Sequence, residues 1–565
     1  MDRPRPALSS RACRVGLLAI PLAFLALFFV FPLVSILDRG LRPDGALDLG
    51  AIGRVIADSD LRGVAWFTLW QATVSTVLTL LVGLPAAFVL SRFAFRGRRV
   101  VRAMTLVPFV LPTVVVGTAF VGLLGPGSPG ATAAGWVGID AGEGLHRTIG
   151  ALLAAHVFFN VAVVVRVVGS YWDQVDPELE ETAESLGAGR IETFRRVLLP
   201  IARPAIASAA ALVFLFAFTS FGIVLLLGRP GASTLEVEVY RHTSQLLDLS
   251  TAAVLALVQM VFVGALLLVE SVLAARAGVP LSLVTSGAAR PIRDRRERLL
   301  VVSVVAATCL LLVTPVLALV WRAFGGGLGG LSLRAFTSLG DARRGSVLSV
   351  APLSSIGHSL VTASTAALFA VAIGVPAALA IARARRSSWL TVLVALPLGV
   401  SAVTVGFGYV VAFDDAPLDL RGSAWVVPLA QAVIALPFVV RIVTPVLVSI
   451  ESGITEAAAD LGAPPVRVLT AVTLPIARPA IAAAGAFAFI VALGEFGAAA
   501  FLATPDRPTL PVAISRLLGQ PGSASLSQAA AMSVILMVVT AVGALAIDRF
   551  GRGTTGAKVA TGRTI

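Results

Sequence analysis

The chain has 565 residues, of which 57% are hydrophobic and 13% are charged, and its mean hydropathy is +0.93. A composition this apolar excludes an ordinary soluble protein and indicates a protein of the lipid bilayer. The formal net charge of +13 is typical of nucleic-acid-binding proteins too, but the arginines cluster in loops on one side of the apolar segments, which argues against a nucleic-acid partner.

Twelve apolar windows follow one another along the chain, each long enough to cross about 30 Å of hydrocarbon, which takes about 20 helical residues. They lie at residues 15–37, 64–90, 103–124, 148–170, 203–228, 251–274, 299–323, 357–382, 389–411, 424–447, 477–503 and 526–547. The first resembles a secretory signal, but its apolar run is long and ends without a small-x-small cleavage site, so we expect a retained span. The sequence predicts an all-α polytopic membrane protein with about twelve transmembrane helices.

Arginine distribution sets the expected orientation. Clusters follow the second, fourth, sixth and eighth windows and the last one, at residues 92–102, 190–196, 290–298, 383–386 and 549–563. By the positive-inside rule this predicts a multi-pass protein of the bacterial cytoplasmic membrane with both termini in the cytoplasm. The two cysteines, Cys13 and Cys309, imply no disulfide framework.

An internal repeat divides the chain into two tandem six-helix halves. The octapeptide Leu-Pro-Ile-Ala-Arg-Pro-Ala-Ile at residues 199–206 returns unchanged at residues 474–481, an offset of 275. Since each half holds an even number of spans, both copies have the same orientation and a pseudo-twofold axis along the membrane normal. We expect a first transmembrane half at 1–274, a cytoplasmic linker at 275–297, a second transmembrane half at 298–548 and a cytoplasmic tail at 549–565.

A short motif recurs between the fourth and fifth spans of each half. Glu181-Thr182-Ala183 is followed after three residues by Gly187, and Glu456-Ala457-Ala458 is followed after three residues by Gly462. Asp176 is suited to cap a short helix, and Gly187 to end it in the left-handed conformation. Ala183 and Leu186 then form a small apolar docking face. The pattern predicts a helix, a bend and a second helix beneath the membrane.

This spacing resembles the EAA loop of type I ABC importer permeases. A single copy also fits a plain amphipathic linker, but two copies in matching loops favour the family. The resemblance implies that each short helix seats in a cytoplasmic ABC ATPase, of which two copies bind, and that an extracytoplasmic binding protein delivers the cargo. It assigns ATPase coupling to six residues: Glu181, Ala183, Gly187, Glu456, Ala458 and Gly462.

No ATP-binding motif accompanies these loops. A P-loop needs a glycine-rich turn and a lysine that reaches the phosphates, and the one lysine, Lys558, has no such context. We therefore expect no catalytic residue, metal or cofactor in this chain, with ATP and Mg²⁺ bound by the partner ATPase. A membrane enzyme is the least favoured class, because only four histidines occur and no metal or nucleophile cluster is present.

Polar and aromatic residues inside spans mark a candidate translocation pathway. They are Phe218, Ser220, Phe221, Glu495, Phe496 and Asn160. Core packing is the alternative for Phe221 and Phe496, and Glu495 needs water, cargo or a cation such as Arg166 or Arg441. For His156, a hydrogen bond between helices is favoured over transport chemistry.

The fused halves resemble the permeases for thiamine and for ferric iron. Residues 155–160 (Ala-His-Val-Phe-Phe-Asn), 233–241 and 493–497 (Leu-Gly-Glu-Phe-Gly) look most like the thiamine permease. The resemblance implies import of thiamine or its phosphate esters, with ferric iron as the second candidate cargo. A secondary transporter driven by an ion gradient would also show repeats and buried carboxylates, but it needs no EAA loops.

Overall fold

The computed structural model describes residues 11–42, 45–46, 48, 50–136, 138, 144–176, 178–229, 231–277, 289–325, 330–341, 347–383, 388–414, 419–450 and 452–560. The first half contains α1 Arg11–Leu25, α2 Phe31–Leu41, α3 Gly50–Ala57, α4 Ser59–Arg92, β1 Phe93–Ala94, α5 Arg98–Val110, α6 Thr113–Leu124, α7 Pro129–Trp136, α8 Ile149–Gln174, α9 Glu178–Ser185, α10 Arg190–Thr193, α11 Leu199–Phe218, α12 Gly222–Leu227, α13 Leu235–Ser244 and α14 Leu249–Ala277.

The second half repeats this order from the end of the linker. It contains β2 Arg290–Pro291, α15 Arg295–Ala323, α16 Arg334–Thr337, α17 Pro352–Arg383, α18 Ser388–Ala395, α19 Ala402–Ala412, α20 Val426–Ser449, α21 Ser452–Asp460, α22 Pro465–Val468, α23 Leu474–Gly494, α24 Gly497–Leu502, α25 Leu510–Leu518 and α26 Ser523–Ala560. Single π-helical turns occupy matching positions, Phe194–Leu198 and Leu469–Thr473, while a third lies at Ala26–Val30. Short 3₁₀ turns cover Ser338–Gly340 and Leu396–Gly399.

Eleven helices of the described chain are long and apolar enough to cross a membrane, and a bent pair, Trp389–Gly399 with Ala402–Ala412, makes a twelfth. The pair turns through 92° at its break. The prediction of an all-α membrane protein with about twelve spans in two halves is confirmed.

Four spans expected to be continuous are broken, which corrects the sequence analysis. The third breaks between α5 and α6 at Pro112, and the ninth between α18 and α19 near Ser401. The fifth breaks between α11 and α12, and the eleventh between α23 and α24. Apolar windows report burial in lipid or protein, and they do not distinguish one long helix from two shorter helices in succession.

Within each half, the second span packs tightly on the fourth through a glycine. A Cβ added at Gly83 of α4 would lie 2.7 Å from Cβ of Val164 in α8, and one at Gly374 of α17 would lie 2.8 Å from Cγ1 of Val439 in α20. Val164 and Val439 are equivalent positions of the repeat, since they are 275 residues apart in the sequence. The repeated Gly-x-Pro segments therefore mark the closest approach of two helices.

The first span of each half lies on the opposite half. Gly408 of α19 is covered by Pro32 and Ile36 of α2, and the tilted rings of Phe413 and Phe28 have centres 6.0 Å apart. On the other side, Gly122 of α6 lies against the backbone of α15 at Ala318. This exchange makes the two halves one packed unit.

The end of the linker is attached to the first half by a short parallel pairing of β1 with β2, in which Phe93 is paired with Arg290. The Arg290 guanidinium lies 4.7 Å from the centre of the Phe93 ring and 2.7 Å from a Glu297 carboxylate oxygen. Residues 278–288 of the predicted linker lie outside the described residues. Helix α15 begins within the range assigned to the linker, and α26 continues through most of the predicted tail.

Replacing Gly83 or Gly374 by alanine should destabilise the permease by about 1–3 kcal/mol, because the new methyl overlaps a valine side chain in a packed interface. Thermal unfolding of the purified protein measures this. Gly264→Ala in α14 is the matched control, since a Cβ there meets nothing within 4 Å. Equal melting temperatures for Gly83→Ala and Gly264→Ala would contradict the close α4–α8 packing.

Candidate functional site

Two loops with the same backbone carry the repeated motif, loop 1 at residues 176–198 and loop 2 at residues 452–473. In loop 1, Oδ1 of Asp176 accepts a hydrogen bond from the amide of Glu178 at 3.0 Å, which caps α9 as predicted. Pro177 lies outside the described residues. Gly187 has φ +88°, and the amide of Ala188 donates to the carbonyl of Ala183 at 3.0 Å. These are the features of a Schellman helix end, so the prediction for Gly187 is confirmed.

Loop 2 ends its short helix in the same way. Gly462 has φ +84°, and the amide of Ala463 donates to the carbonyl of Ala458 at 3.1 Å. A side chain at either glycine would meet no atom within 4 Å, so the left-handed backbone, and not space, demands glycine at both positions.

The other four predicted coupling residues surround these bends. Glu181 and Glu456 are exposed, and Ala183 and Ala458 are half-buried against the protein. Neither glutamate takes part in an ion pair within the described part of the chain. The structure therefore brings the six residues into two equivalent bends, each with its carboxylate directed to solvent.

Large apolar side chains project from both loops at matching positions. Their exposed fractions are 45% for Leu179, 83% for Leu186 and 76% for Ile191 in loop 1, and 46% for Ile454, 89% for Leu461 and 68% for Val466 in loop 2. Sequence reasoning found Leu186 alone, although the other pairs are visible as apolar residues at the repeat offset. A repeated apolar surface of this kind is typical of a protein interaction site.

Loop 1 is tied firmly to the transmembrane helices above it. The Phe194 ring lies 5.1 Å from Phe88 of α4 and 6.2 Å from Trp172 of α8. Nε of the buried Arg92 lies 2.9 Å from a carboxylate oxygen of Glu180, which is half-buried. A displacement of loop 1 must therefore move the ends of α4 and α8 with it.

The predicted pathway residues meet where the fifth and eleventh spans break. Phe221 and Phe496 stack across the two halves, with ring centres 5.2 Å apart and planes inclined by 24°. Tyr240 packs edge-on against Phe221 at 5.4 Å and against Phe501 at 5.2 Å. We call Phe221, Tyr240, Phe496 and Phe501 the central aromatic cluster. Sequence reasoning missed Tyr240 and Phe501, for which no local motif exists.

The remaining predicted pathway residues are buried within one half. Ser220 lies 3.0 Å from Nε2 of His156, whose Nδ1 lies 3.0 Å from Ser75 of α4. Phe218 stacks on Phe214 and contacts Phe262 of α14. His156 therefore makes the interhelical hydrogen bonds favoured from the sequence, and the pathway role of Ser220 and Phe218 stays a prediction.

Glu495 and Asn160 differ in how their polar atoms are satisfied. The Glu495 carboxylate accepts hydrogen bonds from the amides of Ala498 at 2.7 Å and Ala499 at 3.2 Å, which caps α24. It forms no ion pair with Arg166 or Arg441 among the described residues, in contrast to one expectation from the sequence. Asn160 is buried, and neither atom of its amide has a partner in the described part of the molecule.

A family model described as the binding-protein-dependent transport system inner membrane component matches residues 79–277 and again residues 370–555. These two matches cover more than half of the chain and place one copy in each half. The chain belongs to this family. It is the permease subunit of an ABC importer, with two permease halves fused in one polypeptide.

Members of the family resemble the chain to different extents. The thiamine transport system permease protein ThiP of Brucella abortus (strain 2308) is 27% identical over 557 residues, which cover 96% of this chain and 97% of ThiP. The probable ABC transporter permease protein y4fN of Sinorhizobium fredii is 27% identical over 88% of this chain and 90% of its own length. The putative 2-aminoethylphosphonate transport system permease protein PhnV of Salmonella typhimurium is 33% identical over 34% of this chain and 73% of its length.

Among solved structures, a bacterial ABC transporter involved in import of the acidic polysaccharide alginate aligns with a TM-score of 0.42 and 16% identity. The alignment covers 47% of this chain and 95% of that chain.

Substitution of His156 by leucine should lower stability by about 1–3 kcal/mol, because Ser75 and Ser220 lose a buried partner. Thermal unfolding of His156→Leu, Ser220→Ala and the double variant forms a mutant cycle. The double variant should be less destabilised than the sum of the two single variants, since both remove the same hydrogen bond. Strict additivity would mean that His156 and Ser220 do not act as a pair.

Proposed function

We propose that this permease forms the translocation pathway for thiamine or its phosphate esters, and that two copies of a cytoplasmic ABC ATPase drive it through loops 1 and 2. The family assigns a binding-protein-dependent importer, and the full-length similarity to a protein named as a thiamine permease supports the cargo. The observation that carries the coupling role is the double occurrence of one exposed apolar surface on one left-handed bend.

A dimeric ATPase requires two equivalent contact loops, and loops 1 and 2 occupy equivalent positions in the two halves of the repeat. A pair of identical ATPase subunits presents two identical grooves related by a twofold axis, and the permease halves are related by a pseudo-twofold axis. Leu186 and Leu461 would insert as apolar anchors, and the exposed Glu181 and Glu456 would remain at the polar rim. With the loops on the cytoplasmic side, both termini of the chain face the cytoplasm.

Force would then pass from the loops to the central aromatic cluster. Loop 1 is packed on α4 and α8 through Phe194 and Trp172, and the π turn that follows leads directly into α11. Helix α11 ends at the break that carries Phe221. When the ATPases close, rigid-body rotation of the two halves would separate Phe221 from Phe496 and open the pathway to the binding protein.

The decisive experiment measures ATP hydrolysis by the complex of permease and ATPase in liposomes. Candidate binding proteins are added loaded with thiamine, with thiamine monophosphate or with ferric iron. Stimulation by either thiamine-loaded form supports the proposal. Stimulation by the iron-loaded protein alone would support an ABC importer whose cargo is ferric iron and not thiamine. Uptake that collapses with an uncoupler while ATP persists would contradict coupling to ATP hydrolysis.

Leu186→Asp combined with Leu461→Asp should abolish capture of the ATPase by the purified permease, because two desolvated anchors are replaced by charges. The melting temperature of the permease alone should be unchanged, since both leucines are largely exposed. Leu331→Asp is the matched control, an exposed leucine outside the loops whose substitution should leave ATPase capture intact. Full capture by the double aspartate variant would exclude these residues as anchors.

Valine at both Gly187 and Gly462 should uncouple ATP hydrolysis from uptake while the permease still reaches the membrane. A β-branched residue in the left-handed region costs about 1–2 kcal/mol or more, which the exposed loop can relieve by changing its bend. Uptake and stimulated ATPase activity are measured together. Retention of both activities at wild-type levels would show that the bend is not required for coupling.

A further inference from the structure

Two arginines within the transmembrane helices have no role in the site described above. Arg166 in α8 and Arg441 in α20 are separated by the repeat offset of 275, and both side chains are exposed. In the described part of the chain neither takes part in a hydrogen bond or an ion pair. Charged groups within spans are costly, and they almost always face a water-filled cavity or the interior of the bundle.

The packing of each helix fixes the direction of its arginine. Val164, two residues before Arg166, lies against Gly83 of α4, and Val439, two residues before Arg441, lies against Gly374 of α17. Two residues along a helix correspond to a rotation of about 200°. Each arginine therefore leaves its helix on the side opposite to the second span of its half.

The second spans form the outer layer of the bundle. Leu81 of α4 is 65% exposed and Leu368 of α17 is 68% exposed, as expected for surfaces in contact with lipid. Arg166 and Arg441 thus point away from this layer at matching positions.

Their depth follows from the hydrogen bond between His156 and Ser220, which places that part of α8 level with the central aromatic cluster. Arg166 comes ten residues later, or about 15 Å closer to loop 1. Phe159 lies on the same face of α8 as Arg166, seven residues before it, and contacts Phe109, which is 39% exposed. Since Pro112, one turn beyond Phe109, touches Gly494 of the other half, this exposed surface lies at the junction of the halves.

Nearby carboxylates are already engaged. Asp173, on the same face of α8, lies 2.6 Å from Arg102 and 3.7 Å from Arg98. Glu495 is occupied by the amides at the start of α24. Within the described part of the chain, Arg166 and Arg441 are therefore two uncompensated guanidinium groups, and guanidinium binds phosphate-type oxyanions in a bidentate geometry.

We propose that Arg166 and Arg441 form a paired oxyanion site in the inner vestibule, and that the cargo passes them as a molecule bearing a phosphate or phosphonate group. This inference rests on the proposed function and selects the phosphate esters among its cargoes. Free thiamine and ferric iron are cations, which two unpaired arginines repel.

The test is uptake by the complete importer, with its ATPase and binding protein, of radiolabelled thiamine monophosphate and of radiolabelled thiamine. Arg166→Gln with Arg441→Gln should reduce uptake of the ester at least tenfold and should not reduce uptake of thiamine. The double lysine variant, which keeps both charges, should recover most of the ester uptake. Arg99→Gln, which removes an exposed arginine from the start of α5, is the control for net charge and should change neither.

Equal loss of both cargoes, as expected if the arginines bind lipid phosphates, would overturn the inference and leave thiamine import standing. Unchanged ester uptake in the double glutamine variant would overturn it too. If the wild type imports neither cargo, the thiamine proposal fails. The oxyanion site at Arg166 and Arg441 is then tested by binding of 2-aminoethylphosphonate to the nucleotide-free complex in nanodiscs. Binding that is at least tenfold weaker in the double glutamine variant supports the site, and no difference between the two contradicts it.

Discussion

Every backbone amide and carbonyl within the bilayer core needs a partner from the protein, because lipid offers none. This constraint decides where the helices of this permease can break. The eleventh span breaks where the Glu495 carboxylate accepts hydrogen bonds from the two amides that begin α24. The ninth breaks where Ser401 caps α19 through the amide of Thr404 at 3.0 Å. Irregular backbone at membrane depth is tolerated where it is buried or lines a cavity, so these breaks are compatible with the proposed pathway at the interface between the halves.

The same positions show how a duplicated chain has diverged while it keeps its symmetry. Ser220 and Glu495 are equivalent in the repeat, yet Ser220 is held by His156 and Glu495 caps its own helix. The loops differ in a similar way, because Glu180 of loop 1 pairs with Arg92 and the equivalent residue in loop 2 is Thr455. The linker is attached beside loop 1 through Arg293 and Glu184, 3.4 Å apart. Two loops with one exposed surface are therefore attached to the rest of the protein by different contacts.

The local features of this fold were predictable because they depend on neighbouring residues. Apolar windows indicated the spans, the repeat indicated two halves, and Gly187 indicated a left-handed bend. The breaks within spans were not predictable from hydropathy, since apolar residues lie close to Pro112 on both sides. The contact of Phe221 with Phe496, and the partners of Tyr240, depend on how two distant halves pack. The sequence predicts that the carboxylate of Glu495 needs water, cargo or a cation, and in the structure it accepts hydrogen bonds from backbone amides of its own chain.

We propose that closure of two ATPases at loops 1 and 2 separates Phe221 from Phe496. Spin labels at Leu225 and Ala500, equivalent positions just beyond the two aromatic residues, report this separation by double electron–electron resonance in the complete importer. We expect the distance between the two labels to increase when the ATPases are trapped with a non-hydrolysable ATP analogue. In the Gly187 and Gly462 double valine variant, the same treatment should leave this distance unchanged. An unchanged distance in the wild type on nucleotide trapping, with the ATPases bound, would contradict the account.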